Sequence, residues 1–274
     1  MRIQTFIFNW PGRKQHAAEL EASFARLCEV CVINSDDSLR VRHPHWHHIG
    51  SEGFFTAQWN AAVQRFDGDI FVHIQADIWP ADLPQMLSEC VKQMTNFGVG
   101  VYAPNLNFNP HVFRKESLMR LNEGIYEVPT TDCSFWAIAG EVVRNVPTID
   151  PKINRLGWGI DLLVAAVAKR RGMKIVRDYR FTAGHIRSRG YDTAQATKQW
   201  DALRNSFDPL LAEEIDALAR QRDVLVVNNS SPNPAVRARV ALGSRATRGM
   251  LLMQRRLESA YRSVSQLRIR HKTL

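Results

Sequence analysis

Residues 69–80 read DIFVHIQADIWP. Ile70 to Ile74 form a run of apolar and β-favouring side chains with the length and composition of a buried strand. The run ends at a single acid, Asp77, and the chain then turns at Trp79-Pro80. Upstream, Trp59, Ala62/Val63 and Phe66 share one side of a helix over 56–66, which Asp67-Gly68 closes. Downstream, Leu83, Met86/Leu87, Cys90/Val91 and Met94 mark a second amphipathic helix, and Val99–Tyr102 reads as a further strand. A buried strand between two amphipathic helices is the repeating unit of an α/β layer structure.

The same alternation extends in both directions. Toward the N-terminus, Ile3–Phe8 reads as a strand broken by Asn9-Trp10-Pro11-Gly12. Ala17, Leu20, Phe24 and Leu27 then recur at helical spacing, and Val30–Ile33 is a second short strand ending in NSDDS. Such a β-α-β unit implies adjacent parallel strands joined by a right-handed crossover. Toward the C-terminus, CSFWAIAG (133–140) reads as a fully buried strand. GWGIDLLVAAVAKRRGMKIVRD (157–178) reads as a loop, a helix closed by Gly172, and a strand. AGHIRSRGYD follows as an ordered loop, and Leu211, Ile215 and Leu218 mark one more helix. RVRHPHWHHIG and NLNFNPHVFRKESLMRLNEGIYEVP carry no clear period. The expected fold is α/β, a mixed and mostly parallel open sheet flanked by helices. Such sheets bind ligands beyond the carboxyl ends of their strands. The polar residues that follow strands are therefore the candidates: Asn9 to Gly12, Asp36/Asp37, Asp77 and Asp132.

The chain has 274 residues, enough for one large domain or one domain with an appendage. It lacks any run of eighteen apolar residues, so a membrane-spanning helix is not expected. MRIQTFIFNWPG reads as a first strand, because its apolar stretch is too short for a signal peptide. Cys28, Cys31, Cys90 and Cys133 make one C-x-x-C and no second pair, and read as reduced thiols of a cytoplasmic protein. The net charge is +9 and the pI about 9.7. Residues 235–274 hold ten Arg/Lys and one acid, so this tail alone carries the +9 and residues 1–234 are neutral. NNSSPNP (228–234) has the composition of a linker. Met253, Leu257, Tyr261 and Val264 repeat at helical spacing opposite the arginines, a basic amphipathic helix. The expected division is a domain over 1–227, a linker over 228–234 and a helical tail over 235–274. Leu, Met and Tyr at that spacing favour an anionic membrane surface or self-association. Arginines without aromatic interleaving argue against nucleic acid.

In order, the motifs resemble those of a GT-A fold glycosyltransferase, close to family 2, over roughly residues 1–200. FIFNW is similar to the first strand and its polar turn, and CVINSDD to the second strand with its acids. WNAAVQRFDGD resembles the N-x-A…GD helix, and FVHIQAD the strand ending in the metal-site acid. CSFWAIAGEVV resembles the acceptor-side strand. GWGID, with its downstream strand and His185, is the most specific part. Two positions depart from the pattern. Gln75 stands at the first acid of D-x-D, and Ile160-Asp161 where a Glu-Asp pair is usual.

This resemblance implies transfer of a sugar from a nucleotide-diphosphate donor, UDP-linked in the first instance, to a glycan or lipid-linked acceptor. Inversion, a place in polysaccharide biosynthesis and a cytoplasmic location peripheral to the membrane go with it. It implies Mn2+ or Mg2+ held by Asp77 and His185, donor contacts from Asn9, Trp10, Asp36, Asp37, Asn60, Gln75 and Asp77, and acceptor contacts from Trp136 and Trp158. Asp161 is the expected base, with Asp132 its rival or a donor-sugar contact. One carboxylate where two are common also fits a different class, a non-catalytic nucleotide-sugar or glycan-binding module. His43, His45, His47 and His48 invite a zinc reading. They lack a nearby cysteine and helical i,i+4 spacing, and so read as a loop beside the donor.

Overall fold

A computed structural model describes residues 1–38, 43–51, 54–107, 111–185 and 192–226. The linker and tail expected at 228–234 and 235–274 lie outside the described residues.

The strands are β1 (Ile3–Asn9), β2 (Glu29–Asn34), β3 (Trp46–His48), β4 (Ile70–Gln75), β5 (Ile78–Trp79), β6 (Val99–Leu106), β7 (Arg120–Asn122), β8 (Ile125–Glu127), β9 (Phe135–Ala139) and β10 (Lys174–His185). The helices are α1 (Lys14–Phe24), α2 (Phe55–Arg65), α3 (Leu83–Phe97), the single turn α4 (Gly140–Val143), α5 (Ile160–Arg170), α6 (Thr193–Asn205) and α7 (Pro209–Leu225). Among the described residues the sheet runs β3-β2-β1-β4-β9-β6-β10-β8-β7, with β5 pairing β10 off this path. The long ladders β1–β2, β1–β4 and β6–β10 are parallel, while β9 enters antiparallel between β4 and β6. The fold is thus a mixed, mostly parallel sheet flanked by helices, with α6 and α7 following it as a helical extension. No described helix is long and apolar enough to cross a membrane.

Alternation along the central strands feeds two cores, one on each face. Phe6 and Phe8 of β1, Phe71 of β4, and Trp136 and Ile138 of β9 pack with residues of α2, α5 and α7. Ile7, Ile70, Val72, Ile74, Phe135 and Ala137 point to the other face, against Ala17, Leu20 and Phe24 of α1 and Met86, Leu87 and Cys90 of α3. Pro84 follows the Asp82 cap of α3, whose side chain accepts from Gln85 N.

Four local readings change. Leu27 is 42% exposed, because α1 ends at Phe24 and the chain turns away before β2. RVRHPHWHHIG contains the three-residue edge strand β3, and the second irregular region contains the β7–β8 hairpin. Strands this short carry no detectable period. Trp136 is 1% exposed and packs against Trp59, the rings tilted by 50° with centroids 5.9 Å apart, so its expected acceptor contact is replaced by a core position. Its place on the inward face of a central strand is the physical reason.

β10 runs for twelve residues, well past the expected strand. Its register against β6 shifts between Asp178 and Thr182. There the buried Asp178 accepts from Tyr102 Oη at 2.8 Å and from Arg180 Nε and Nη2 at 3.0 and 2.7 Å. Beyond this irregularity, Gly184 and His185 pair with Trp79 and Ile78 of β5. The stretch DIFVHIQADIWP thus leaves the sheet at β4 and returns to it at the end of β10.

Candidate active site

Phe8 lies opposite Gln75 and Asn9 opposite Asn34, so β1, β2 and β4 end at one level. β9 starts at that level, since Ile74 pairs with Phe135, and β6 and β10 end on the same side through Leu106 and Ala183. Helix α5 runs back from it, which puts Asp161 in its first turn there. Asn9, Asp36, Gln75, Asp77, Asp132, Asp161 and His185 therefore share the carboxyl edge of the sheet.

At the β1–β2 end the polar groups hold one another. Asn9 Nδ2 donates to Asn34 Oδ1 at 2.7 Å, and Gln58 Nε2 donates to Asn9 O at 2.8 Å and Ile33 O at 3.1 Å. Asp36 N donates to Asn34 Oδ1 at 3.1 Å. The Asp36 carboxylate is buried and takes Ser38 N at 3.0 Å and Ser38 Oγ at 2.5 Å. Exposed Asp37 accepts from Ser51 N at 3.0 Å and lies 3.1 Å from His48 Nε2. Hydrogen bonds from Ser51, then His48, hold its carboxyl below the usual range. Trp10 stays half-buried just past β1. Gln75 is likewise half-buried, with its backbone N–H donating to Ser134 O at 2.9 Å.

Toward β10, Asp77 and His185 meet. Asp77 Oδ2 lies 3.6 Å from His185 Nε2, beyond hydrogen-bond length, and Asp77 is 3% exposed. Asp77 Oδ1 is buried and has no hydrogen-bond partner among the described residues. A buried acceptor in that state is costly unless a ligand satisfies it. Asn107 Oδ1 accepts from His185 N at 2.7 Å and fixes the imidazole's backbone. A carboxylate oxygen and an imidazole nitrogen at this separation fit a shared divalent cation.

Asp161 sits in the first turn of α5. Its N-cap is Gly159, at φ 86°, so the aspartate does not cap α5. A Cβ on Gly159 would lie 1.9 Å from the Trp200 ring, and one on Gly157 2.3 Å from Phe55. The glycines thus serve aromatic packing and left-handed backbone, and they leave Trp158 between them half-exposed. Burial pushes the Asp161 carboxyl up to about 6; Arg222 opposes this, and Asp132 adds to it by repulsion. His111 Nε2 lies 3.9 Å from Asp161 Oδ2. Burial, then Arg222, pushes that imidazole down to about 4. Asp132 Oδ1 accepts from Ser134 N at 2.7 Å, which orders the entry to β9.

Two expected contacts are not brought to this edge. Trp136 is in the core, as described. Asn60 Nδ2 donates to Ile149 O at 2.7 Å and ties α2 to the loop after α4, a scaffolding contact. No local pattern singles out His111, Gln58, Asn107 or Arg222, whose contacts come from residues distant in the chain. The four histidines divide. His48 joins Asp37, His47 meets Arg65 Nη2 at 2.9 Å, and His43 and His45 turn to Glu21 of α1. Glu21, His43 and His45 present three ligand atoms within 4.8 Å of one another and could hold a divalent metal ion.

No protein-family model and no curated protein sequence matches the chain. Solved structures do. The chain aligns with GalNAc-T7 solved with UDP, GalNAc and Mn2+, at TM-score 0.57 and 11% identity, over 74% of this chain and 48% of that one. It aligns with TarS of S. aureus in complex with UDP-GlcNAc, at TM-score 0.55 and 9% identity, over 89% and 79%. The mannosyltransferase PcManGT from Pyrobaculum calidifontis, in complex with GDP-Man and Mn2+, aligns at TM-score 0.50 and 16% identity, over 89% and 80%. The chain spans about half the length of GalNAc-T7. At these identities the likeness is one of fold, and the fold is a GT-A-like mixed, mostly parallel sheet flanked by helices.

Proposed function

We propose that the protein is a glycosyltransferase that moves a sugar from a nucleotide-diphosphate donor to a glycan or lipid-linked acceptor, with inversion. The observation that carries this reading is the Asp77–His185 pair, 3.6 Å apart, with a buried Asp77 oxygen that has no hydrogen-bond partner among the described residues. The fold neighbours solved with UDP, UDP-GlcNAc or GDP-Man support the donor class, and the UDP-bound pair favours a UDP-sugar. Two of them carry Mn2+. A divalent cation, Mn2+ or Mg2+, held by Asp77 and His185 would offset the charge that builds on the diphosphate as it leaves.

The chain's own groups supply the rest. Asn9, Asp36 and Asp37 frame the nucleoside end, where a carboxylate accepts from a ribose hydroxyl or a base N–H and Trp10 stacks on the base. Trp158 offers its half-exposed ring to the acceptor sugar. Asp161 takes the proton of the acceptor hydroxyl while that oxygen attacks the anomeric carbon from the face opposite the leaving group. The bond from carbon to diphosphate oxygen breaks, and the nucleoside diphosphate departs with the electron pair. A carboxyl raised to about 6 is still ionised at neutral pH and is a stronger base than an ordinary aspartate. Asp132 contacts the donor sugar and holds the Asp161 pKa up.

The reading also divides the chain at 228–234 and sets the basic segment over 235–274 against an anionic inner membrane face or a second copy. The charge and apolar spacing of that segment support this. Hydrolysis of a panel of nucleotide sugars with Mn2+ or Mg2+ tests the function. Release of free sugar from one donor is expected. Binding without turnover for every donor would instead identify a binding module, the reading that Gln75 in place of the first D-x-D acid favours.

A further inference from the structure

We propose that Glu21, His43 and His45 form a second, structural metal site of the zinc type, which clamps the edge strand β3 to helix α1. It is separate from the Asp77–His185 pair and does not depend on the function proposed for it.

The geometry is specific. Glu21 Oε1 lies 3.1 Å from His43 Nδ1 and 3.0 Å from His45 Nδ1. Two ligands about 2.0–2.1 Å from a tetrahedral Zn2+ stand about 3.3 Å apart. Each imidazole nitrogen therefore stands from Oε1 at nearly the ligand–ligand separation of such a shell, and the three ligand atoms all lie within 4.8 Å of one another. The other carboxylate oxygen is already held, since Trp46 Nε1 donates to Glu21 Oε2 at 2.6 Å. This outer contact fixes the carboxylate and leaves Oε1 for the ion, the arrangement that orients metal ligands generally. The two rings stand nearly perpendicular, with centroids 5.2 Å apart.

Burial points the same way. Glu21 is 9% exposed and shares the inward face of α1 with Ala17, Leu20 and Phe24. A carboxylate there requires compensation. The imidazoles approach from the outside with 45% of each side chain exposed. That leaves an entry path and room for a water as fourth ligand. Two nitrogens and one oxygen favour Zn2+ over Mn2+ or Mg2+.

The site has a structural task. β3 holds its place at the sheet edge through three register positions against β2. A metal joining the residues that lead into β3 to the inward face of α1 would add its binding energy to that edge. Its position excludes the donor role. His43 and His45 precede β3, whereas His48, at its other end, reaches Asp37 on the carboxyl edge. β4, which leads to Asp77, is three strand positions from β3, about 14 Å at the usual strand spacing.

The test uses the full chain stripped of metal, titrated with Zn2+ and with Co2+ as a spectroscopic probe. One equivalent of Zn2+ is expected to bind, with intense visible Co2+ bands of a tetrahedral shell that Zn2+ abolishes. Asp77→Ala should retain both signals. Glu21→Gln and the exposed-residue variants His43→Ala and His45→Ala should lose the bands and the rise in Tm that Zn2+ gives. Far-UV circular dichroism in chelator checks that each variant folds. Absence of binding to the wild type overturns the proposal, as does binding that survives His43→Ala/His45→Ala. Loss of the signals in Asp77→Ala but not in His45→Ala overturns it too, by assigning the ion to Asp77.

Discussion

The two ends of the carboxyl edge hold their polar groups in opposite states. At the β1–β2 end, Asn9, Asn34, Asp36, Ser38 and Gln58 bond to one another, and Asn9 Oδ1 is the exception with no partner among the described residues. Toward β10 and α5, Asp77 keeps a buried oxygen without a hydrogen bond among the described residues, and burial raises the Asp161 carboxyl. The first end is a pre-formed, cradle-like network of hydrogen bonds held by the protein's own groups. The second stores unfavourable desolvation that a ligand or a proton relieves, the state expected where chemistry occurs. Substitutions should therefore affect shape and affinity at one end and turnover at the other.

The largest effect is expected at Asp161. Asp161→Asn should lower turnover about 10²- to 10⁴-fold, the usual contribution of a general base. In the wild type, kcat/KM should rise with pH through about 6 and then level, since the carboxylate is the active form. Near-normal turnover in Asp161→Asn, together with loss in Asp132→Asn, would transfer the base role to Asp132. Next comes His185→Ala, for which a drop of about 10- to 100-fold is expected in Mn2+-supported turnover. An unchanged rate would detach the imidazole from the site.

Stability supplies a sharper contrast. The Asp161 carboxyl titrates near 6 in the fold against an ordinary 3.8, so the folded state binds its proton more tightly. Its contribution to stability is full below about 3.8 and is lost as pH rises through about 6. Asp161→Asn should thus be more stable than the wild type at pH 8, on the order of 2–3 kcal/mol, and nearly equal to it at pH 3.5. Urea melts at the two pH values measure this, and an equal difference at both would contradict the buried-acid account. The smallest effect belongs to the cradle: Asp36→Asn should raise the donor KM about three- to tenfold and leave kcat near its wild-type value. A fall in kcat alone would erase the distinction between the ends.

What could be read in the sequence follows from the range of the interactions involved. Ile3–Asn9, Ile70–Gln75 and the helices between them announce themselves through local apolar spacing, which also locates the carboxyl edge. Asp77, Asp132 and Asp161 were legible because each acid stands beside a strand end or helix start. His185 was legible only through its motif, and its approach to Asp77 depends on the β10 irregularity at Asp178–Thr182. Trp136 and Asn60 misled because an aromatic or an amide near a motif looks alike whether it faces a ligand or the interior. His43 and His45 read as loop residues because their partner, Glu21, lies more than twenty positions earlier in the chain. The β7–β8 hairpin and β3 were too short to leave a pattern.

In the function proposed above, Asp77 marks the donor-phosphate end of the site. Calorimetric titration of UDP in Mn2+ into the wild type and Asp77→Ala tests it most directly. Saturable binding to the wild type, lost in Asp77→Ala, is expected. Equal binding by both proteins would contradict it.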